Sequence, residues 1–138
     1  MASGIYSCFK EDLMVGAVNL HTAGDTINVA LYDNSHAFSA ADTVYTTTNE
    51  LATANGYTQG GATLGSQAVT AGTTTKWDAA DTSWAASSFT AYHAVIYDAT
   101  NTNSLICSID FAGAKTVSSG TFTIQWDAAG IITLATAV

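Results

Sequence analysis

AYHAVIYDATNTNSLICSIDF, residues 91–111, is the stretch that decides the fold. Apolar residues alternate with their neighbours on both sides of a polar connection, residues 98–103, as expected for strands with one buried face. This connection is too short to contain a crossover helix. The residues that share the apolar faces are Val95 and Tyr97 before the connection, and Leu105, Cys107, Ile109 and Phe111 after it. The stretch therefore predicts sequential antiparallel strands and argues against a doubly wound α/β fold.

The same alternation predicts half-buried strands at 27–31 and 122–126. Their alternating residues are Ile27, Val29, Leu31, Phe122, Ile124 and Trp126, and a last predicted strand runs from Ile131 to Ala135. Turn-forming residues at 113–115 and 118–120 predict breaks between strands. The Thr-, Ala-, Gly- and Asn-rich residues 33–72 predict long loops with short edge strands. We therefore expect a mainly β protein, an antiparallel β-sandwich or small barrel.

One amphipathic α-helix is predicted at the N-terminus, over residues 3–20, because apolar residues recur there at helical spacing and Ser3 is placed to cap the first turn. The periodic residues are Ile5, Phe9, Leu13, Ala17 and Leu20. We expect a single domain over residues 1–138, with the helix at about 3–20 and the strands from about 26 onward.

The chain is strongly acidic. Its 138 residues include only three basic ones, Lys10, Lys76 and Lys115, and the formal net charge is -8. Binding to nucleic acid requires clustered lysine and arginine, so we expect no nucleic acid partner. Hydrophobic residues make up 48% of the chain, yet no apolar run approaches the roughly 20 residues of a transmembrane helix. We therefore expect a soluble protein with no membrane partner.

The first residues carry information about the cellular compartment. Lys10, Glu11 and Asp12 interrupt the apolar residues near the N-terminus, which argues against a secretory signal and predicts synthesis in the cytoplasm. Cys8 and Cys107 lie far apart in the sequence, each at an apolar position. In a reducing compartment this pattern predicts buried free thiols.

The tetrad Trp-Asp-Ala-Ala occurs twice, at 77–80 and at 126–129. A second recurring strand end, Leu-Tyr-Asp at 31–33 and Ile-Tyr-Asp at 96–98, has a different spacing between its copies. One duplication therefore cannot account for both pairs. We interpret the tetrad as a turn device in which Trp ends a strand and Asp begins the connection by accepting backbone hydrogen bonds.

The sequence has enough carboxylates to suggest a glycosidase, an enzyme that holds two of them on opposite sides of the bond it cleaves. The candidates are Asp78, Asp81, Asp98 and Asp127. All four lie at predicted strand ends or turns, where aspartate is favoured for structural reasons. The histidines and cysteines show no metal-binding spacing, and no serine lies in a nucleophile elbow. We therefore expect no enzymatic activity, no catalytic residue, no cofactor and no zinc site.

Residues 98–103 leave two interpretations open. Asp98, Asn101 and Asn103 carry oxygen atoms that could bind calcium in a loop, although the glycine and the terminal glutamate of an EF-hand are missing. The alternative is an Asx-rich turn.

Trp77, Trp84 and Tyr57 are the candidate interface residues. The two tryptophans flank the turn residues 78–83 and are spaced to meet across a hairpin. On the surface they would anchor a partner or stack on a sugar, and packing in the core is the alternative. Tyr57 lies in GYTQGG, residues 56–61, which we predict to be a flexible loop and not a phosphate-binding loop.

Four segments resemble a family of small virion proteins of tailed bacteriophages. They are MASGIYSCFKEDLM (1–14), ATLGSQAVTAGTTTKWDAADTSW (62–84), AYHAVIYDAT (91–100) and SLICSIDFAGAKTVSSGTFTIQWDAAGIITLA (104–135). The resemblance implies a structural protein, and similar small β-rich proteins serve as head decoration or cement proteins. The acidic charge favours the outside of the shell, away from packaged DNA.

We therefore expect a non-enzymatic capsid decoration protein, made in the host cytoplasm and located on the outer head surface of the virion. Its expected partners are the major capsid protein and copies of itself, in a homo-oligomer. The alternative is a tail or fibre component, including an adhesin module that binds glycans. An enzyme such as a wall hydrolase ranks third.

Overall fold

The computed structural model describes residues 3–136. This range contains one helix, α1 (Ser7–Val15), and the strands β1 (Gly4–Ile5), β2 (Ile27–Tyr32), β3 (Ala62–Thr63), β4 (Ala68–Thr70), β5 (Thr74–Asp78), β6 (Thr82–Asp98), β7 (Ser104–Ile124) and β8 (Ile132–Ala135). All pairs are antiparallel, and they form a five-stranded sheet in the order β1-β7-β6-β2-β3 and a three-stranded sheet in the order β4-β5-β8. The predicted mainly β, antiparallel fold with one N-terminal helix is confirmed.

β6 and β7 form a long hairpin that dominates the larger sheet. Their pairing begins at Asp98 with Ser104, beside the turn, and ends at Thr82 with Ile124. The turn lies in the predicted connection, residues 98–103. The alternation on either side of this connection therefore belongs to two strands of one hairpin, as the sequence predicts.

The predicted breaks at 113–115 and 118–120 are wrong, because both lie inside β7. Ala112, Gly113 and Ser119 adopt positive φ angles of 57°, 131° and 49° at places where the register between β6 and β7 shifts. These are β-bulges, which insert extra residues in one strand and bend it without ending the pairing. A bulge uses the same glycine and small polar residues as a turn, so composition does not distinguish the two.

α1 is shorter than the helix predicted over residues 3–20, and Ser3 is not its cap. The Ser3 hydroxyl accepts a hydrogen bond from the backbone N–H of Asp110 (2.9 Å), while the residues between Ser3 and the helix pair with β7 as β1. Gly16 ends the helix in a left-handed conformation, with a φ of 72°. Leu20, which extended the apparent periodicity, reaches the core from the segment after the helix.

Both faces of the larger sheet are buried around β2, whereas the sequence predicted a half-buried strand at 27–31. The first face packs against α1 through Phe9 and against the smaller sheet through Trp77 and Ile132. All three side chains are buried. Burial of this apolar surface is the main stabilising contribution to the fold.

The second face is covered by an irregular segment, residues 33–50, which we name the cover segment. Phe38 and Tyr45 pack against the buried side chains of this face, and the Tyr45 ring stacks on Tyr97 of β6 at a centroid distance of 4.1 Å. The prediction of loops with short edge strands over residues 33–72 is confirmed, since this range contains β3 and β4 as its strands.

Glu50, at the end of the cover segment, is held in place by three hydrogen bonds. The Glu50 carboxylate accepts hydrogen bonds from the Tyr45 hydroxyl (2.5 Å), the Tyr57 hydroxyl (2.6 Å) and the Gly60 N–H (2.7 Å), and Glu50 is 7% exposed. Burial, together with the bond to Glu50, raises the pKa of Tyr45 and of Tyr57 above the usual range, so both hydroxyls stay protonated and donate. Three donors thus replace the water that this carboxylate loses on folding.

We expect Glu50→Ala to lower the free energy of unfolding by about 2–4 kcal/mol, because it removes the acceptor of three donors, two of them tyrosine hydroxyls that would be left without it. Urea unfolding followed by tryptophan fluorescence measures the change. Glu11→Ala, at an exposed glutamate of α1, is the matched control and should lie within about 0.5 kcal/mol of the wild type. A Glu50→Ala variant as stable as the control would show that this carboxylate does not hold the cover segment.

Candidate functional site

The two Trp-Asp-Ala-Ala copies lie against each other but are not equivalent. Trp77 is buried within β5, whereas Trp126 is half-buried and follows the end of β7. The backbone N–H of Ile131 donates to the Trp77 carbonyl (2.8 Å), and the Lys76 ammonium donates to the Ala128 carbonyl (2.7 Å). The prediction that both tryptophans end strands is therefore wrong, because β5 continues to Asp78 and β7 ends at Ile124, before Trp126.

Aspartate does act as a turn residue at the second copy. The Asp127 carboxylate accepts a hydrogen bond from the backbone N–H of Ala129 (2.8 Å), the geometry of an Asx turn. In the first copy, Asp78 is the last residue of β5 and accepts from the N–H of Ala79 (2.9 Å). Asp81 accepts from the N–H of Trp126 (3.0 Å). These carboxylates stabilise backbone conformation.

The three predicted interface residues are buried in the isolated chain: Trp77 is 3%, Trp84 is 7% and Tyr57 is 2% exposed. Trp77 and Trp84 lie in different sheets, so the expectation that they meet across a hairpin is wrong. The structure shows the alternative considered for the two tryptophans, which is packing in the core. A role for the three residues in an interface stays a prediction, and their side chains offer little surface to a partner.

An open groove is lined by β7 and by residues 125–131, which connect β7 to β8; we name it the hairpin groove. It has a volume of about 580 Å³. Its apolar lining includes the half-buried side chains Ile109, Phe111, Phe122, Trp126 and Ile131, which pack against the main core. The groove is therefore an uncovered continuation of the core and not an isolated surface patch.

One hydrogen bond and several ring contacts fix the aromatic wall of the hairpin groove. The Trp126 indole N–H donates to the Ala80 carbonyl (3.1 Å), which orients the ring. Phe122 contacts Phe111 at a ring-centroid distance of 6.3 Å and Phe89 at 5.2 Å. The polar residues that line the groove are Lys115, Thr123, Gln125 and Asp127. A preformed apolar surface edged by polar groups is typical of a binding site.

Sequence reasoning did not find this groove, although it assigned Phe111 and Phe122 to strand faces. The alternation shows which side chains share a face, but it does not show how far the smaller sheet extends over that face. The only sequence signal was the alternation itself, which places Phe111, Phe122 and Trp126 among the apolar positions of strands.

A second cluster joins the cover segment to the larger sheet. His36 Nε2 lies 3.0 Å from the Ser108 hydroxyl, and the His36 ring meets the His93 ring edge-on at a centroid distance of 5.2 Å. His93 Nδ1 lies 3.8 Å from an Asp110 carboxylate oxygen. A serine beside a histidine suggests a nucleophile, but Ser108 is 1% exposed, so a substrate cannot reach its hydroxyl in this conformation.

Both histidines are held in the neutral state. Burial lowers the pKa of His36, and the neighbouring His93 lowers it further, while Asp42 and Asp33 act in the opposite direction. Burial also lowers the pKa of His93, against the opposing effects of Asp110 and Asp33. His93 Nε2 is buried, with no hydrogen-bond partner among residues 3–136.

The cysteines are both free. Cys107 is buried, and burial raises the pKa of its thiol to about 12, so the thiol is unreactive at neutral pH. Cys8 is only half-buried, and its thiol donates to the Leu105 carbonyl (3.2 Å). Both thiols are therefore free, as predicted, but only Cys107 is buried.

Residues 98–103 form an Asx turn. One oxygen of the Asp98 carboxylate accepts hydrogen bonds from the backbone N–H groups of Thr100 (2.8 Å) and Asn101 (3.0 Å), while the Asn101 amide donates to Asp12 (3.2 Å). Within residues 3–136 no group of three His, Cys, Asp or Glu side chains is arranged to hold a metal ion. The turn interpretation of this segment is thus the one that its hydrogen bonds support.

Comparison with known proteins gives no match: no family model, no curated protein and no solved structure matches the chain. In the described part of the chain, no helix has the length and apolar character needed to cross a membrane.

We expect the free energy of unfolding to fall as pH decreases from 7 to 5. The two histidines have folded-state pKa values below the ordinary 6.5, so the unfolded chain binds more protons in this range. The loss begins near pH 6.5 and levels off only below the folded-state pKa values. Denaturant unfolding at several pH values measures it.

His93→Gln should show a flatter dependence on pH than the wild type, because it removes one of the two suppressed titrations. His21→Gln, at an exposed histidine, is the matched control and should keep the wild-type slope. Identical slopes for all three proteins would contradict the lowered pKa values of His36 and His93.

Proposed function

We propose that the protein is a non-enzymatic structural protein of a bacteriophage virion, a decoration protein that docks on the outer surface of the head. The hairpin groove is the observation that carries the proposal. Its docking partner is the major capsid protein, and the resemblance to small virion proteins supports the class of partner.

The groove has the composition of an interface core. Phe111, Phe122 and Trp126 are aromatic, and aromatic residues contribute most of the binding energy at protein interfaces. Their positions are set by the β6–β7 pairing and by the Trp126 indole hydrogen bond, so docking needs little ordering of the chain. Leaving such a surface in water is unfavourable, and covering it with a partner removes that cost.

The distribution of charge supports an external position. The net charge of -8 disfavours contact with packaged DNA, and among residues 3–136 Lys115 is the one basic side chain that lines the groove. A shell presents many copies of each capsid protein, so a weak contact repeated at every site stabilises the particle by multivalency. Copies of the protein on neighbouring sites would form a symmetric array.

A second candidate function is a glycan-binding tail or fibre module. The same groove favours it, because the oriented Trp126 ring lies beside Gln125 and Asp127, and sugars are bound by aromatic stacking together with hydrogen bonds from amides and carboxylates. The two functions differ in the partner and share the surface. Binding experiments with shells and with glycans therefore distinguish them.

We expect Phe111→Ser to weaken binding to purified empty shells by at least about tenfold, because it removes an aromatic wall of the groove. Co-sedimentation with shells measures the affinity, and the resistance of decorated shells to heat and low salt measures cementing. Met14→Ser, at a methionine that is 89% exposed on α1, is the control and should bind as the wild type does.

Thermal unfolding of Phe111→Ser separates a binding defect from a folding defect. Shells that resist heat and low salt equally with and without the wild-type protein would remove the cement function. Wild-type binding to a glycan array that is abolished in folded Trp126→Ala, without binding to shells, would establish the second candidate instead.

A further inference from the structure

The cover segment contains one stretch, residues 34–39, that no backbone hydrogen bond ties to the larger sheet; we name it the histidine lobe. Among the described residues, its backbone bonds only to other backbone groups of the cover segment. Anchoring bonds lie on either side of it. The Asp33 N–H donates to the Asn49 carbonyl (2.9 Å), and the Ala40 carbonyl accepts from the Ser7 N–H (3.0 Å). The lobe can therefore move while these anchors stay in place.

The side chains of His36 and Phe38 attach the lobe to the rest of the fold. The Phe38 ring packs against Tyr6 at a centroid distance of 5.0 Å. His36 Nε2 lies 3.0 Å from the Ser108 hydroxyl, and the His36 ring meets the His93 ring at 5.2 Å. Because His93 is 3% exposed, the lobe closes on a second histidine that is buried in the sheet.

Open cavities lie on both sides of the lobe. One, of about 580 Å³, is lined by His36 and by other residues of the cover segment. The other, of about 360 Å³, is lined by Asn34 of the lobe and by His93 and Asp110 of the sheet. Both histidines thus border cavities that open to solvent, so protons reach them without unfolding of the chain.

Charged groups of both signs surround the two histidines. Burial lowers the pKa of His36 and His93 lowers it further, whereas Asp42 and Asp33 of the cover segment raise it. Burial also lowers the pKa of His93, as does the charge of the chain's N-terminus, whereas Asp110 of β7 and Asp33 raise it. The net effect of these groups favours the neutral form of both rings while the lobe is closed.

The other titratable side chains that line the two cavities are tyrosines, namely Tyr6, Tyr32 and Tyr92. A phenol titrates near pH 10, at about the value of a free tyrosine or above it when buried, so these side chains stay neutral in mild acid. The change in charge between pH 7 and pH 5 therefore belongs to the histidines.

We propose that the histidine lobe is an acid-sensitive switch, closed on the larger sheet at neutral pH and opened when His36 and His93 bind protons, while the rest of the fold stays intact. Two imidazolium rings in contact repel each other, and burying their charge is unfavourable. The Ser108 hydroxyl can accept a hydrogen bond from a protonated His36, so this bond alone does not open the lobe. The repulsion between the rings and the loss of their hydration do.

The direction of the pH effect follows from the two histidines. In the open lobe they regain water and titrate near the ordinary value of about 6.5, whereas closure holds their pKa values lower. The closed form is therefore favoured above that pH and loses this advantage as the pH falls toward the lower values. The switch belongs to the isolated chain and needs no docking partner.

Cleavage of the full chain by thermolysin tests the switch, because this protease cuts before phenylalanine and the bond between Ala37 and Phe38 lies in the lobe. Mass spectrometry gives the rate at this bond, relative to a synthetic peptide of residues 33–42 in the same solution. We expect the relative rate to rise at least about fivefold from pH 7 to pH 5, because cleavage follows the population of the open form. Tryptophan fluorescence should stay native, since no tryptophan lies in the lobe.

Two variants remove the titrating groups one at a time. His93→Gln leaves the sequence of the lobe unchanged and should reduce the rise to about twofold or less, because one of the two bound protons is lost. His36→Gln keeps a hydrogen-bonding side chain beside Ser108 and should have the same effect. His93→Gln provides the test if His36→Gln already opens the lobe at pH 7. His21→Gln, at an exposed histidine outside the lobe, is the control and should keep the full rise.

Three results would overturn the switch. A relative cleavage rate that is equal at pH 7 and pH 5 would show that the lobe stays closed in acid. A rise as large in both histidine variants as in the wild type would show that the protons act on other groups. Cleavage throughout the chain at pH 5, with loss of the native tryptophan fluorescence, would show that acid unfolds the whole fold and not the lobe.

Discussion

The antiparallel pairing of β6 with β7 is the constraint on which the rest of the structure depends. Each of these strands is far longer than its neighbours, and their bulges bend the hairpin without ending it. Near its turn the hairpin forms the centre of a sheet that is covered on both faces. Farther from the turn, β7 and residues 125–131 line the hairpin groove.

Basic residues are scarce, and this determines which groups donate hydrogen bonds to the acidic side chains. With three lysines for eleven carboxylates, most acidic side chains must find donors other than cations. Glu50 uses two tyrosine hydroxyls and a backbone N–H, and Asp127 uses a turn N–H.

Much of the fold could be predicted from local patterns. Period-two alternation around residues 98–103 predicted the central strands correctly, because a strand with one strongly apolar face shows it in every second residue. The helix was overestimated because Leu20 continues its spacing although Gly16 ends it. The bulges at Gly113 and Ser119 were taken for turns because the two features share the same residues.

The candidate sites could not be predicted, since each depends on residues far apart in the sequence. The hairpin groove is lined by β7 together with residues 125–131, and nothing near Phe111 in the sequence encodes that this later segment lies beside it. The burial of Ala30 and Tyr32 results from the cover segment, whose isolated apolar residues carry no periodic signal.

Electron cryomicroscopy of the assembled particle tests the central claim most directly, because it shows both where the protein lies and which surface it uses. A decoration protein that docks through the hairpin groove should appear on the outer surface of the head, with Phe111, Phe122 and Trp126 against the capsid protein. Density on the tail, or on the head with this groove open to solvent, would contradict the account.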